Sequence, residues 1–143
     1  MAIIPDLRRR QKALDRTIEK YGQANFSLGS ADCVQLARFH LKAMGVKKLP
    51  VPAKYTNTMG ARRALKAVGV RNIEQLLDKF LERITPAAML PGDVAMLPSE
   101  PGEEASEIGT LAICLGRKVL SWHPDYPTPV VMEVAVVKAA WRA

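Results

Sequence analysis

The chain has 143 residues, 48% of them hydrophobic and 24% charged, a composition of ordinary globular domains that argues against disorder. Its net charge of +7 is uneven, with +11 in residues 1–71 and −4 in residues 72–143. No apolar run approaches the ~20 residues of a membrane span, the start lacks a secretory h-region, and two cysteines with two histidines make neither a disulfide framework nor a zinc spacing.

The first predicted helix covers residues 5–21, where Leu7, Leu14, Ile18 and Tyr21 recur at helical spacing among Arg8, Arg9, Lys12, Arg16 and Lys20. Gly22 ends it. After a loop at 25–29, a second helix is expected from Asp32 to Met44, stopped by Gly45, with Cys33, Leu36, Ala37, Leu41 and Met44 along one face. Helices over 58–68 and 72–84 follow, the latter opening on an approximate capping box of Asn72 and Gln75. From Pro91 the pattern changes to short strands at 91–97, 108–115, 118–123 and 130–137, with a glutamate-bearing loop at 99–107. Helices followed by strands predict one α+β domain over 1–143, with an antiparallel sheet against the second helix.

Cys33 falls in the first turn of that helix. There the unpaired amides favour a thiolate and can receive an oxyanion, while a buried cysteine acting as a small hydrophobe is the structural alternative. Asp32 has a catalytic reading and an N-cap reading; Asp93 reads as a turn former. His40 lies seven residues after Cys33, about 10 Å along a helix, too far to take its proton, and is expected on a polar edge. His123, before Pro124 at a strand end, is either the base or its remnant, or a surface turn residue. The basic half suits an acidic polymer or protein partner, or simply a solvated surface. Nucleic acid is disfavoured because the few aromatics do not interleave with the cations.

Several blocks in order carry a resemblance: Phe26-Ser-Leu-Gly29 with Asp32-Cys33-Val34, then Pro91-Gly-Asp-Val94, then Ile108-Gly-Thr-Leu-Ala-Ile-Cys-Leu-Gly116. This order resembles the NlpC-type, papain-like cell-wall cysteine peptidases, and Ala140-Trp141-Arg142 with the short length is similar to a phage and prophage branch. The resemblance implies a papain-like fold whose small antiparallel sheet packs on the Cys33 helix. It implies attack on peptide or amide bonds of peptidoglycan without a cofactor, with Cys33 as nucleophile. The family's base histidine falls at Thr110, which cannot take a proton near neutral pH, and the third position falls at or beside His123. Thr110 is expected to face Cys33. Phe26 stands where the family often has tyrosine, with Tyr21 as the other candidate for that hydroxyl. Two functions follow: a phage or prophage peptidase or amidase using Cys33 with His123, or an inactive component of a phage tail with the same fold. Its partners would be peptidoglycan or tail proteins, and its place the bacterial host cytoplasm after synthesis, then the virion.

Overall fold

The computed structural model describes residues 3–46, 55–98, 110–123 and 125–143. The acidic loop expected over 99–107, Pro124 and the start of the strand expected from Ile108 lie outside the described residues. Four helices lead, α1 (Ile3–Tyr21), α2 (Cys33–Ala43), α3 (Thr58–Ala67) and α4 (Ile73–Phe80). The strands are β1 (Glu82–Ile84), β2 (Val94–Leu97), β3 (Thr110–Cys114), β4 (Lys118–Ser121), β5 (Val130–Glu133) and β6 (Ala139–Arg142). They form one antiparallel sheet ordered β1-β6-β2-β3-β4-β5. The chain is thus α+β, as its pattern predicts, and no described helix is long and apolar enough to cross a membrane.

Side-chain caps start the helices. Asp32, Asn57 and Asn72 accept from the amides of Gln35, Gly60 and Gln75, satisfying donors that a helix start leaves open. The return arm of the expected capping box is displaced: Gln75 Oε1 accepts from the amide of Arg71 at 2.9 Å, one residue before the cap.

Alternation along the strands makes two layers. Val94, Met96, Leu111, Ile113 and Trp141 pack with Leu14 of α1 and with Leu36, Ala37 and Leu41 of α2. On the opposite face Ala95, Leu97, Ala112 and Val119 are covered by Met89, Met132, Val134 and Val137. The larger layer fixes α2 against β3, the placement that matters for Cys33.

Three expectations are corrected. The helix expected over 72–84 stops at Phe80, because Leu81 turns extended (φ −127°, ψ 155°) and Glu82–Ile84 pair with β6. Arg83 is held there over the Trp141 ring at 5.1 Å and against Asp78 at 2.8 Å. The strand expected over 130–137 ends at Glu133 and gives way to a 3₁₀ turn, Val134–Val136. The chain then re-enters the sheet as β6 between β1 and β2; Ala139-Ala140-Trp141 lacks the β-branched signature of a strand yet is buried there. Finally, His40 occupies no polar edge but is wholly buried. Its Nε2 donates to the Gly92 carbonyl at 2.8 Å and its Nδ1 meets Thr17 Oγ1 at 2.8 Å, so the ring ties α1, α2 and the turn before β2 together. Burial lowers its pKa.

That turn holds a second buried knot. Asp93, with no exposed surface, accepts from its own turn at Leu90 N, from Arg10 Nη1 of α1 at 2.9 Å, from Arg142 Nη1 of β6 at 2.8 Å and from Ala143 N. The turn-forming role read from the sequence is present, and the carboxylate also joins the first helix to the last strand.

Candidate functional site around Cys33

Cys33 is the first residue of α2, half-buried and free of a disulfide. The approach to it is a tight loop. Ser27 and Ala31 bridge each other, the Phe26 amide donates to Pro127 O at 2.8 Å and Trp122 Nε1 donates to Ala24 O at 3.1 Å. Gly29 takes a left-handed φ of +93°, and a Cβ there would stand 1.9 Å from the Tyr55 carbonyl oxygen. No other residue fits that approach.

Asp32 is the N-cap, in extended backbone, and its carboxylate is fully engaged. Oδ1 accepts from Gln35 N at 2.9 Å; Oδ2 accepts from Gly29 N at 2.7 Å and from the Tyr55 hydroxyl at 2.7 Å. Tyr55 Oη in turn accepts from Gln35 Nε2 at 3.3 Å, and burial raises the tyrosine's pKa well above its ordinary value. The capping role of Asp32 is therefore directly visible. Tyr55 went unnoticed in the sequence, since nothing local marks a tyrosine 23 residues away as the cap's partner. Neither Tyr21 nor Phe26 brings a hydroxyl to Asp32. Tyr21 is walled edge-on by Phe39 at 5.7 Å and Trp122 at 6.0 Å, and Phe26 lies half exposed at the surface.

The thiol itself is pushed up to about 11, mainly by burial and further by the charge of Asp32. The amides of Leu111, Cys33 and Val34 act in the opposite direction without cancelling it. At neutral pH the sulfur therefore carries its proton, unlike a working cysteine nucleophile. Cys33 does sit at the start of a helix packed on the strand that contains Thr110, but it meets that strand through the Leu111 amide. The Leu111 carbonyl is taken by Ser121 Oγ of β4 at 2.6 Å.

The face expected of Thr110 is also corrected. Leu111 lines a cavity with Val34, Ala37 and Leu41 of α2, whereas Ala112 belongs to the opposite layer. Alternation puts Thr110 with Ala112, half-exposed at the start of β3, so it does not face the thiol. Packing decides this: the bulky Leu111 and Ile113 fill the space against α2, and the smaller residues face away.

Neither histidine serves Cys33. His40 spends both ring nitrogens on Thr17 and Gly92. His123 follows β4 with its side chain 42% exposed; Nδ1 accepts from the Asp125 amide at 3.1 Å, the Asp125 carboxylate lies 3.6 Å away, and the ring meets Tyr126 edge-on. These are the contacts of the surface turn residue. Cys33 and Asp32 thus stand together, and the described contacts of His123 are with Asp125 and Tyr126.

A family model described as a domain of unknown function (DUF6950) matches residues 6–143. No curated protein matches the chain.

Proposed function

The chain belongs to the DUF6950 family, and we propose that it is an NlpC-like phage or prophage component in which the papain-like frame survives without hydrolysis, serving as a structural or assembly part of a phage tail. One observation carries the reading: burial and Asp32 push the Cys33 thiol up to about 11, while His40 bonds Thr17 and Gly92 and His123 Nδ1 bonds the Asp125 amide. A Cys-His pair needs a base within about 3 Å of the proton it takes, or one water away. The order of the sequence blocks and the helix-start cysteine against β3 support the NlpC-type ancestry, and the phage context rests on the resemblance of length and C-terminal residues. In this role the protein would be made in the host cytoplasm and end in the virion.

A second reading, a working peptidase or amidase of peptidoglycan, is favoured by the three amides converging on the Cys33 sulfur, a geometry that suits an oxyanion as well as a thiol. Iodoacetamide alkylation of Cys33 across pH 6–10, with muropeptide release from purified cell wall, separates the two. The structural reading expects a rate still climbing at pH 9 and no release above a Cys33→Ala control. A rate plateau below pH 7, or release that Cys33→Ala abolishes, makes the protein an enzyme.

A further inference from the structure

The stretch from Cys33 to Arg71 contains nine Lys/Arg and no Asp or Glu. It supplies α2 and α3, which carry Arg38, Lys42, Arg62, Arg63 and Lys66 between them. Among the described residues Arg38, Lys42 and Lys66 make no ion pair, and the Arg63 guanidinium rests on the Met59 sulfur at 3.6 Å. By contrast, α1 and α4 carry ion-paired carboxylates, Asp6 with Arg9 and Arg10, and Asp78 with Arg83. A solvated surface intermixes signs; neither α2 nor α3 contains an acidic residue.

Between the same two helices lies a cavity of about 70 Å³. Its walls are Ala37 and Leu41 of α2, Ala64 and Leu65 of α3 and Leu77 of α4, and Arg38 also lines it. The small residues Ala61 and Ala64 of α3 line it as well. An apolar cavity of about 150 Å³ admits a benzene ring, so this one admits the branched end of a single aliphatic side chain. Met59, on the same helix, is 64% exposed.

We infer that the α2–α3 face is a docking site for an acidic protein segment, which inserts one aliphatic side chain into the cavity while its carboxylates meet the cations of α2 and α3. Charge complementarity selects the sign of the partner and speeds encounter; the buried anchor in a pocket supplies the discriminating contact. The need for an apolar anchor distinguishes the partner from a bare polyanion. The inference holds whether or not Cys33 is catalytic.

Random displayed peptides of about a dozen residues, selected on the full-length protein, test it. The expected winners carry several Asp or Glu around one Leu, Ile or Val. A winner's affinity should fall about tenfold when its aliphatic residue becomes Ser, and similarly for protein bearing Lys42→Glu, Arg63→Glu and Lys66→Glu together. Those three side chains are exposed, so the variant should fold, which circular dichroism verifies; Ala64→Leu, which fills the cavity from within, should weaken binding independently. Neutral or basic winners, no consensus, or equal binding of polyglutamate, oligothymidylate or phosphatidylglycerol vesicles would overturn the inference. Mass spectrometry of the recovered peptide separates docking from hydrolysis: an intact peptide leaves both readings standing, and a cut one removes the structural role proposed above while keeping the face.

Discussion

Two buried aspartates sit at the two ends of the helical layer's contact with the sheet, and they are solved by opposite electrostatics. Asp93 is met by two guanidiniums, Arg10 and Arg142, and by two amides. Asp32 is met by the amides of Gln35 and Gly29 and by the Tyr55 hydroxyl, all neutral donors. At Asp93 the countercharge makes a lock between α1, β2's turn and β6. At Asp32 no cation among the described residues meets the carboxylate, and its charge raises the pKa of the neighbouring Cys33 thiol. A cysteine that works as a nucleophile needs the reverse, a positive neighbour. The comparison teaches that a helix-start cysteine is not defined by its helix: the partner charge decides what the sulfur can do.

Breaking the lock should have the largest effect. Asp93→Ala leaves Arg10, 3% exposed, in a buried site with only the Asp6 carboxylate and backbone carbonyls as acceptors. Removing one partner of a buried ion pair costs about 3–5 kcal/mol, and urea unfolding should register a loss in that range. A loss under about 1 kcal/mol would mean that Asp93 is a turn former and little else. Asp32→Asn is milder. The cap oxygen remains, while the tyrosine and glycine contacts lose their charged acceptor, and a cost of about 1 kcal/mol is expected. Because the charge of Asp32 raises the thiol's pKa, alkylation of Cys33 at pH 8.5 should accelerate. A slower rate would place the carboxylate on the activating side and reverse the comparison.

A smaller, pH-dependent effect sharpens the picture from outside both sites. His40 has its folded pKa lowered by burial, so the unfolded chain binds the extra proton more readily. Stability is then full above about pH 6.5 and falls as pH drops from there toward the folded pKa. His40→Gln should flatten this limb, leaving the lower-pH losses from Asp6 and Asp78, whose pKa values are depressed by their arginines. Denaturant midpoints between pH 7 and 5 measure it; an unchanged slope in His40→Gln would show that the ring is not the titrating group.

Much of this architecture could be read from residue order, and the failures have physical causes. Helix starts were legible where a short polar side chain precedes a periodic run, as at Asp32 and Asn72, because capping is local chemistry. The Cys33–β3 juxtaposition followed from block order. What escaped is what only tertiary packing decides: the conversion of Glu82–Ile84 from helix to strand by pairing with β6, and the burial of His40 by a carbonyl 52 residues away. At the site, the cysteine and its cap were local and visible. Tyr55 was not, and the orientation of β3 could not be, because a strand's two faces exchange with a shift of one residue.

That shift underlies the smallest expected effect. The resemblance places a base histidine at position 110, and a register with Thr110 toward α2 would let Thr110→His rebuild a Cys-His pair. In the structure it is Leu111 that faces Val34 and Leu41 across the cavity, and Thr110 shares the face of Ala112. A histidine at 110 would then project from the start of β3 away from the sulfur, beyond the hydrogen-bonding reach that proton transfer demands. Thr110→His should therefore fold normally, since the site is half-exposed, and should alkylate at pH 6–7 within about twofold of the parent. General-base assistance is worth about 10²–10⁴-fold, so even a poorly placed imidazole within reach of the thiol would exceed that margin. A gain of tenfold or more, lost again in Cys33→Ala, would show that the Thr110 face turns to the thiol and that one substitution separates this chain from a working peptidase.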